Sequence, residues 1–136
     1  MIRIVLDTNV VVSAMLTAGG APYFVVQLVL QGAVTLLVDS RILAEYDEIT
    51  ARPRFGINEV ERRNLLDVLT QVGEPVIASP SRTSLPDPDD RAFVEVAIAG
   101  GADAIVTGNT KHFIPKKGEL PVSVLTPRQL VDRLRR

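Results

Sequence analysis

The sequence predicts an α/β domain: a three-layer α/β/α sandwich around a central, mostly parallel, twisted sheet of four to five strands. Three observations predict it. Short, mostly apolar runs at 2–6, 34–38 and 104–107 have the length and composition of strands buried on both faces. Between them lie longer segments that carry helix start and stop signals. The two kinds of segment alternate, and a parallel sheet needs that order because each crossover must return along a helix.

The first strand, 2–6, ends at Asp7-Thr8-Asn9, and a short helix is predicted over 9–16, stopped by Gly19-Gly20. A second helix spans 22–31, with Pro22 in its first turn and Gly32 beyond its end. After the second strand, 34–38, Asp39 or Ser40 caps a helix that runs to about 51, where Arg52-Pro53-Arg54 breaks it. Asn58-Glu59-Val60-Glu61 has the form of a capping box, opening a helix that ends at Gly73. A weak third strand at 75–78 and a polar loop at 79–86 follow. Asp87-Pro88-Asp89-Asp90 opens the next helix, with Pro88 at its first position and Gly100-Gly101 at its end. Strands at 104–107 and 123–125 come next, and Thr126-Pro127-Arg128-Gln129 caps a last helix. No repeat or linker interrupts this order, so residues 1–136 are expected to form one domain.

Composition narrows the chemistry. A hydrophobic fraction of 46% is enough for a core without covalent staples. The absence of cysteine excludes disulfides and thiolate metal sites. One histidine, His112, excludes a multi-histidine zinc site. A bound metal must then sit on oxygen ligands, which suit Mg²⁺ or Mn²⁺. Net charge is −1, so attraction for nucleic acid has to come from local basic patches. The start, MIRIVLD, carries Asp7 and lacks a leader's long apolar segment. The longest apolar run, 23–38, is broken by Gln27, Gln31 and Gly32 and is short for a bilayer span. A soluble, cytoplasmic protein without a membrane partner is expected.

In parallel sheets, ligands bind beyond the C-terminal ends of the strands. Asp7 stands there, directly after the first strand, although a turn or N-cap aspartate would also stand there. Glu45 falls at the edge of the apolar face formed by Ile42, Leu43, Tyr46 and Ile49; a solvated edge residue is the alternative. Asp87, Asp89 and Asp90 suit the positive end of a helix dipole without any catalysis. Asp90 nonetheless shares the inward face of Phe93 and Ala97, and Asp89 is nearly as well placed; spacing leaves the two open. Thr107-Gly108-Asn109 follows another strand, where Asn109 offers an oxygen to a metal or water, or sits as a left-handed turn residue. Two carboxylates about 4 Å apart repel by roughly 4 kcal/mol at an effective dielectric near 20. Three converging at one sheet edge therefore demand a proton or a divalent cation.

At this point the chain resembles the PIN-domain family, and within it the toxin-like, VapC-type branch. The matching stretches are IVLDTNVVVSA, SRILAEYDEIT with RPRF after it, DPDDRAFVEVAIAGGADAIVTGN, and KHFIP, which follow one another in family order. The resemblance implies divalent-metal-dependent hydrolysis of RNA phosphodiesters, with Mg²⁺ or Mn²⁺ as cofactor. It maps the catalytic and metal-binding acids onto Asp7, Glu45 and Asp90, favouring Asp90 over Asp89, with Asn109 and Asp87 as further ligands. Thr8, Asn9 and Thr107 fall in substrate-orienting positions, and Arg52, Arg54, Lys111, Lys116 and Lys117 are candidates for RNA phosphate contacts. Many members carry an acid where this chain has Asn109, a departure that weakens a second metal position. The branch also implies a cognate antitoxin protein and a homodimer.

Two rivals are weighed against this reading. A phosphatase with an aspartyl nucleophile would also place Asp7 after the first strand, but it wants a second aspartate where Asn9 stands. A PIN fold retained only for binding RNA or protein is the other, with Asn109 as its mark. Gly-x-Gly-x-x-Gly, P-loop and Gly-x-Ser-x-Gly signatures are missing from the sequence.

Overall fold

The computed structural model describes residues 1–81 and 83–135; Arg82, within the predicted 79–86 loop, lies outside the described residues. Five strands form one sheet: β1 (Arg3–Leu6), β2 (Thr35–Val38), β3 (Glu74–Pro75), β4 (Ala104–Val106) and β5 (Ser123–Leu125). Their order is β3-β2-β1-β4-β5 and every pairing is parallel. Ile4, Val5, Leu6, Leu36, Leu37 and Ile105 are almost wholly shielded from solvent, as strands covered on both faces must be.

Six helices connect and flank the strands: α1 (Thr8–Leu16), α2 (Ala21–Leu30), α3 (Ser40–Thr50), α4 (Glu59–Val72), α5 (Arg91–Ala99) and α6 (Pro127–Leu134). Helices α1, α2, α3, α4 and α6 pack on one another, and α5 packs against β1, β2 and β4. This division follows from handedness. The crossovers from β1 to β2 and from β2 to β3 move one way along the sheet, while the connection to β4 moves back, so right-handed crossovers put α5 on the opposite face. Among the described residues no single helix is long and apolar enough to cross a membrane; α1 and α2 would be long enough together but meet at 103°.

Local structure departs from expectation at three places. The third strand starts one residue early and stops at Pro75, with Ile77 99% exposed, so the predicted 75–78 run is not a strand. It is an edge strand, and Pro75 has no N–H to give to a ladder. The box at Asn58 is half formed: its side chain accepts from the Glu61 N–H at 3.0 Å, without a reciprocal bond among the described residues. The reciprocal box forms instead at Thr126 and Gln129. Third, Pro88–Asp90 forms a 3₁₀ turn that leads into α5, rather than the first turn of the α-helix itself.

Candidate active site

Strand order reverses between β1 and β4, and the crevice that such a reversal opens lies beyond their C-terminal ends. A cavity of about 670 Å³ lies beyond β1 there. It is lined by Asp7, Thr8, Asn9, Glu45, Arg52, Arg54, Asp87, Asp89, Asp90 and His112, among others.

Asp7 is buried at the floor. Its backbone N–H donates to Val106 O at 2.9 Å, which continues the β1–β4 ladder by one residue. It holds the N-cap position of α1, yet its carboxylate makes no capping bond. Instead Thr107 Oγ1 donates to Asp7 Oδ2 at 2.8 Å. Burial pushes the Asp7 pKa up, against the opposing pull of the Thr107 hydroxyl and the Thr8 N–H.

Glu45 arrives from α3. Tyr46, wholly buried beside it, donates its hydroxyl to Leu6 O at 2.6 Å and so ties the helix to the end of β1. The Thr8 hydroxyl donates to Glu45 Oε2. Burial raises the Glu45 pKa despite that bond, and the charges of Asp7, Asp89 and Glu48 raise it further.

Asp90 comes from the 3₁₀ turn before α5. Of the two acids that spacing left open, Asp89 is exposed, whereas the Asp90 side chain is 13% exposed. Burial first, then the charges of Asp7 and Asp87, push the Asp90 pKa up to about 7. Asp87 caps its own turn, accepting from the Asp89 N–H at 2.9 Å.

The remaining predicted residues divide. Asn9 Oδ1 accepts from the Gly108 N–H at 3.0 Å, which joins the loops after β1 and β4. Asn109 is extended (φ −138°), so the left-handed alternative does not hold; its Oδ1 caps a 3₁₀ turn, Thr110–Phe113, accepting from the Lys111 N–H at 3.2 Å. Arg52 and Arg54 stand on the cavity wall, with Arg54 stacked 4.8 Å over the Phe55 ring. Lys111, Lys116 and Lys117 are exposed and do not line the cavity. His112 and Ser13 do line it, and sequence reasoning assigned neither a role. For His112 a signal existed: it is the lone histidine and falls three residues after the Thr107-Gly108-Asn109 turn.

Among the described residues, no three acidic or imidazole side chains stand close enough together to form a ready-made metal cage. The donor set still suits a hydrated hard cation. It offers oxygen ligands, Mg²⁺ is commonly held by one or two carboxylates while keeping several waters, and the acids here raise one another's pKa by charge.

The fold and this site together define an α/β domain with an acidic cleft at its topological switch point. The family model for the PIN domain matches residues 3–111, and the chain belongs to the PIN-domain family, whose members are generally nucleases. The solved structure of VapBC2 from Rickettsia felis, bound to a DNA fragment from its promoter, includes a chain of similar fold. Identity to it is 18%, with a TM-score of 0.57, covering 92% of this chain and 98% of that one. No curated protein matches the chain.

Proposed function

We propose that this protein is a divalent-metal-dependent endoribonuclease and the toxin of a toxin–antitoxin pair. One observation carries the nuclease reading: Asp7, Glu45 and Asp90 line one cavity and all three are pushed toward protonation. Acids so placed lack a countercharge that a cation would supply. Asp7 and Asp90 would hold Mg²⁺ or Mn²⁺, with Glu45 in direct or water-mediated support. Bound there, the ion supplies positive charge for the scissile phosphate and lowers the pKa of a water.

The chain's own residues do the rest. Thr107 fixes which way the Asp7 carboxylate faces, and the Thr8 hydroxyl holds Glu45 in place to orient the attacking water. Arg52 and Arg54 take RNA phosphates at the wall, which gives a chain of net charge −1 a local basic contact. Asn9, held by Gly108, keeps the two loops together. That engagement also speaks against the aspartyl-phosphatase rival, whose general acid would occupy this position.

The VapBC2 complex supports a protein partner for a domain of this fold, which we read here as a cognate antitoxin; a homodimer acting in the cytoplasm completes the proposal. The deciding experiment is cleavage of a mixed structured and single-stranded RNA pool with Mn²⁺, Mg²⁺ or chelator, beside an Asp90→Asn protein. Metal-dependent cutting that the variant loses is expected. RNA binding without cutting in any metal would favour the binding-module reading. Arg54→Ala is expected to weaken RNA binding across sequences and to lower the salt slope by about one.

A further inference from the structure

We propose that Asn109 fixes His112 as its Nδ1–H tautomer, and that His112 thereby acts as a positioning residue for the Asp90 carboxylate. The argument begins with the Asn109 amide. Its oxygen is taken by the Lys111 N–H at 3.2 Å, in the cap of the Thr110–Phe113 turn. Its NH₂ therefore faces His112 Nε2, at 3.0 Å. An amide NH₂ only donates, so Nε2 must accept, and a neutral ring then carries its proton on Nδ1. Nδ1 stands 4.0 Å from Asp90 Oδ2. That gap is wider than a hydrogen bond, but bonds at reacting centres are commonly loose before the substrate complex forms.

The placement is braced by core packing. Phe113, next to His112, is buried and meets Phe93 edge to face, with ring centroids 6.4 Å apart. Phe93 lies three residues after Asp90, so this one contact sets the His112 turn against the Asp90 turn. The His112 N–H also donates to Asn109 O at 3.1 Å.

The same geometry gives Asn109 a chemical role. An aspartate there would present only acceptors to Nε2, drawing the proton onto that nitrogen. It would also add another negative charge to a cleft whose acids already repel one another. The amide avoids both.

This inference deepens the nuclease reading and rests on it only for its metal-binding half. The test has two arms on the full chain. His112 is the only histidine, so its ring nitrogen-15 signals need no assignment by mutation. In metal-free protein at mildly alkaline pH, a protonated Nδ1 and an unprotonated Nε2 are expected, with the proton moving to Nε2 in Asn109→Asp. A wild-type Nε2–H pattern, or no change in Asn109→Asp, overturns the tautomer assignment. In the second arm, Mn²⁺ alone is titrated by thermal shift. His112→Ala is expected to weaken Mn²⁺ binding about tenfold, the lower end for a residue that orients a metal ligand. His112→Asn keeps a donor at the Nδ1 place and should recover most of that loss, whereas His112→Gln should not. The side chain is 48% exposed, so these changes leave the core alone. Equal Mn²⁺ affinity in wild type and His112→Ala overturns the positioning role. A wild-type chain that shows Nδ1–H but binds no Mn²⁺ overturns the metal reading of the cleft, and with it the positioning role, while the tautomer stands.

Discussion

Glu45 and Asp47 lie two residues apart on α3 and meet opposite fates. Glu45 turns toward the cleft, where burial and neighbouring acids raise its pKa. Asp47 turns toward α4, where Arg62 Nη1 donates to it at 2.6 Å and lowers its pKa. The α3–α4 seam is a closed network. Arg62 is 4% exposed, pairs with both Asp47 and Glu59, and also donates to Asp47 O. Arg62, Asp47 and Glu59 are all paired there, whereas in the cleft Asp7 and Glu45 find hydroxyls and Asp90 faces the His112 ring from 4.0 Å. The contrast separates a network built for stability from one that leaves room for a cation.

The largest expected effect breaks the cleft side. Asp7→Asn or Asp90→Asn should lower cleavage by more than about a hundredfold, the upper end for altering residues around a metal ligand. Single-turnover rates with Mn²⁺ measure it, and a folded variant with full activity would remove that residue from the site. Stability should move the other way. In chelator near pH 8, Asp90→Asn should melt at a higher temperature than wild type, because the ionised acid is unfavourable in the fold. The sign follows from linkage: with its folded pKa raised to about 7, Asp90 binds more protons folded than unfolded below that value. Its cost therefore grows as pH rises from the ordinary aspartate value toward 7, and the advantage of the variant should shrink as pH falls below 7 and vanish only near pH 4. Added Mn²⁺ should raise the melting temperature of wild type well beyond that of the variant.

Breaking the seam should do the reverse. Arg62→Ala is expected to cost about 2 kcal/mol in urea unfolding, within the usual range for a buried side chain, while activity per folded molecule stays unchanged. Asp47 and Glu59 have lowered pKa values, so their contribution is present above the ordinary carboxylate range and is lost as pH falls through their folded values. The gap between wild type and Arg62→Ala should therefore narrow in acid. The smallest effect sharpens the comparison at its hinge. Tyr46→Phe removes the bond to Leu6 O and should cost about 1 kcal/mol. A loss of cleavage larger than this destabilisation explains would show that Tyr46 sets the Glu45 position.

The strand and helix order was legible because apolar run length and capping residues are local signals. The 2–6 and 104–107 runs and the Thr126 cap all appear close to where periodicity and chemistry put them. The third strand was not legible, because an edge strand is set by what it pairs with rather than by its own propensity. The same division runs through the site. Asp7 could be placed from its position after a buried strand, and the demand for a proton or an oxygen-bound cation followed from counting acids without cysteine or multiple histidines. Asp89 and Asp90 differ by one residue on the same turn, and no spacing rule tells which will be enclosed.

The sequence by itself determined the α/β class, the parallel sheet, the acidic and cysteine-free character of the site, and the resemblance to the PIN-domain family. Tertiary structure alone decided which acids share a cavity, that Asn109 faces His112 rather than turning left-handed, and that Arg52 and Arg54 reach the cleft while Lys116 and Lys117 do not. The reason is physical. Secondary structure is written in neighbours a few residues apart, whereas a pKa or a hydrogen-bond partner depends on groups such as Asp7 and Thr107, a hundred residues apart, that only the packed sheet brings within 2.8 Å.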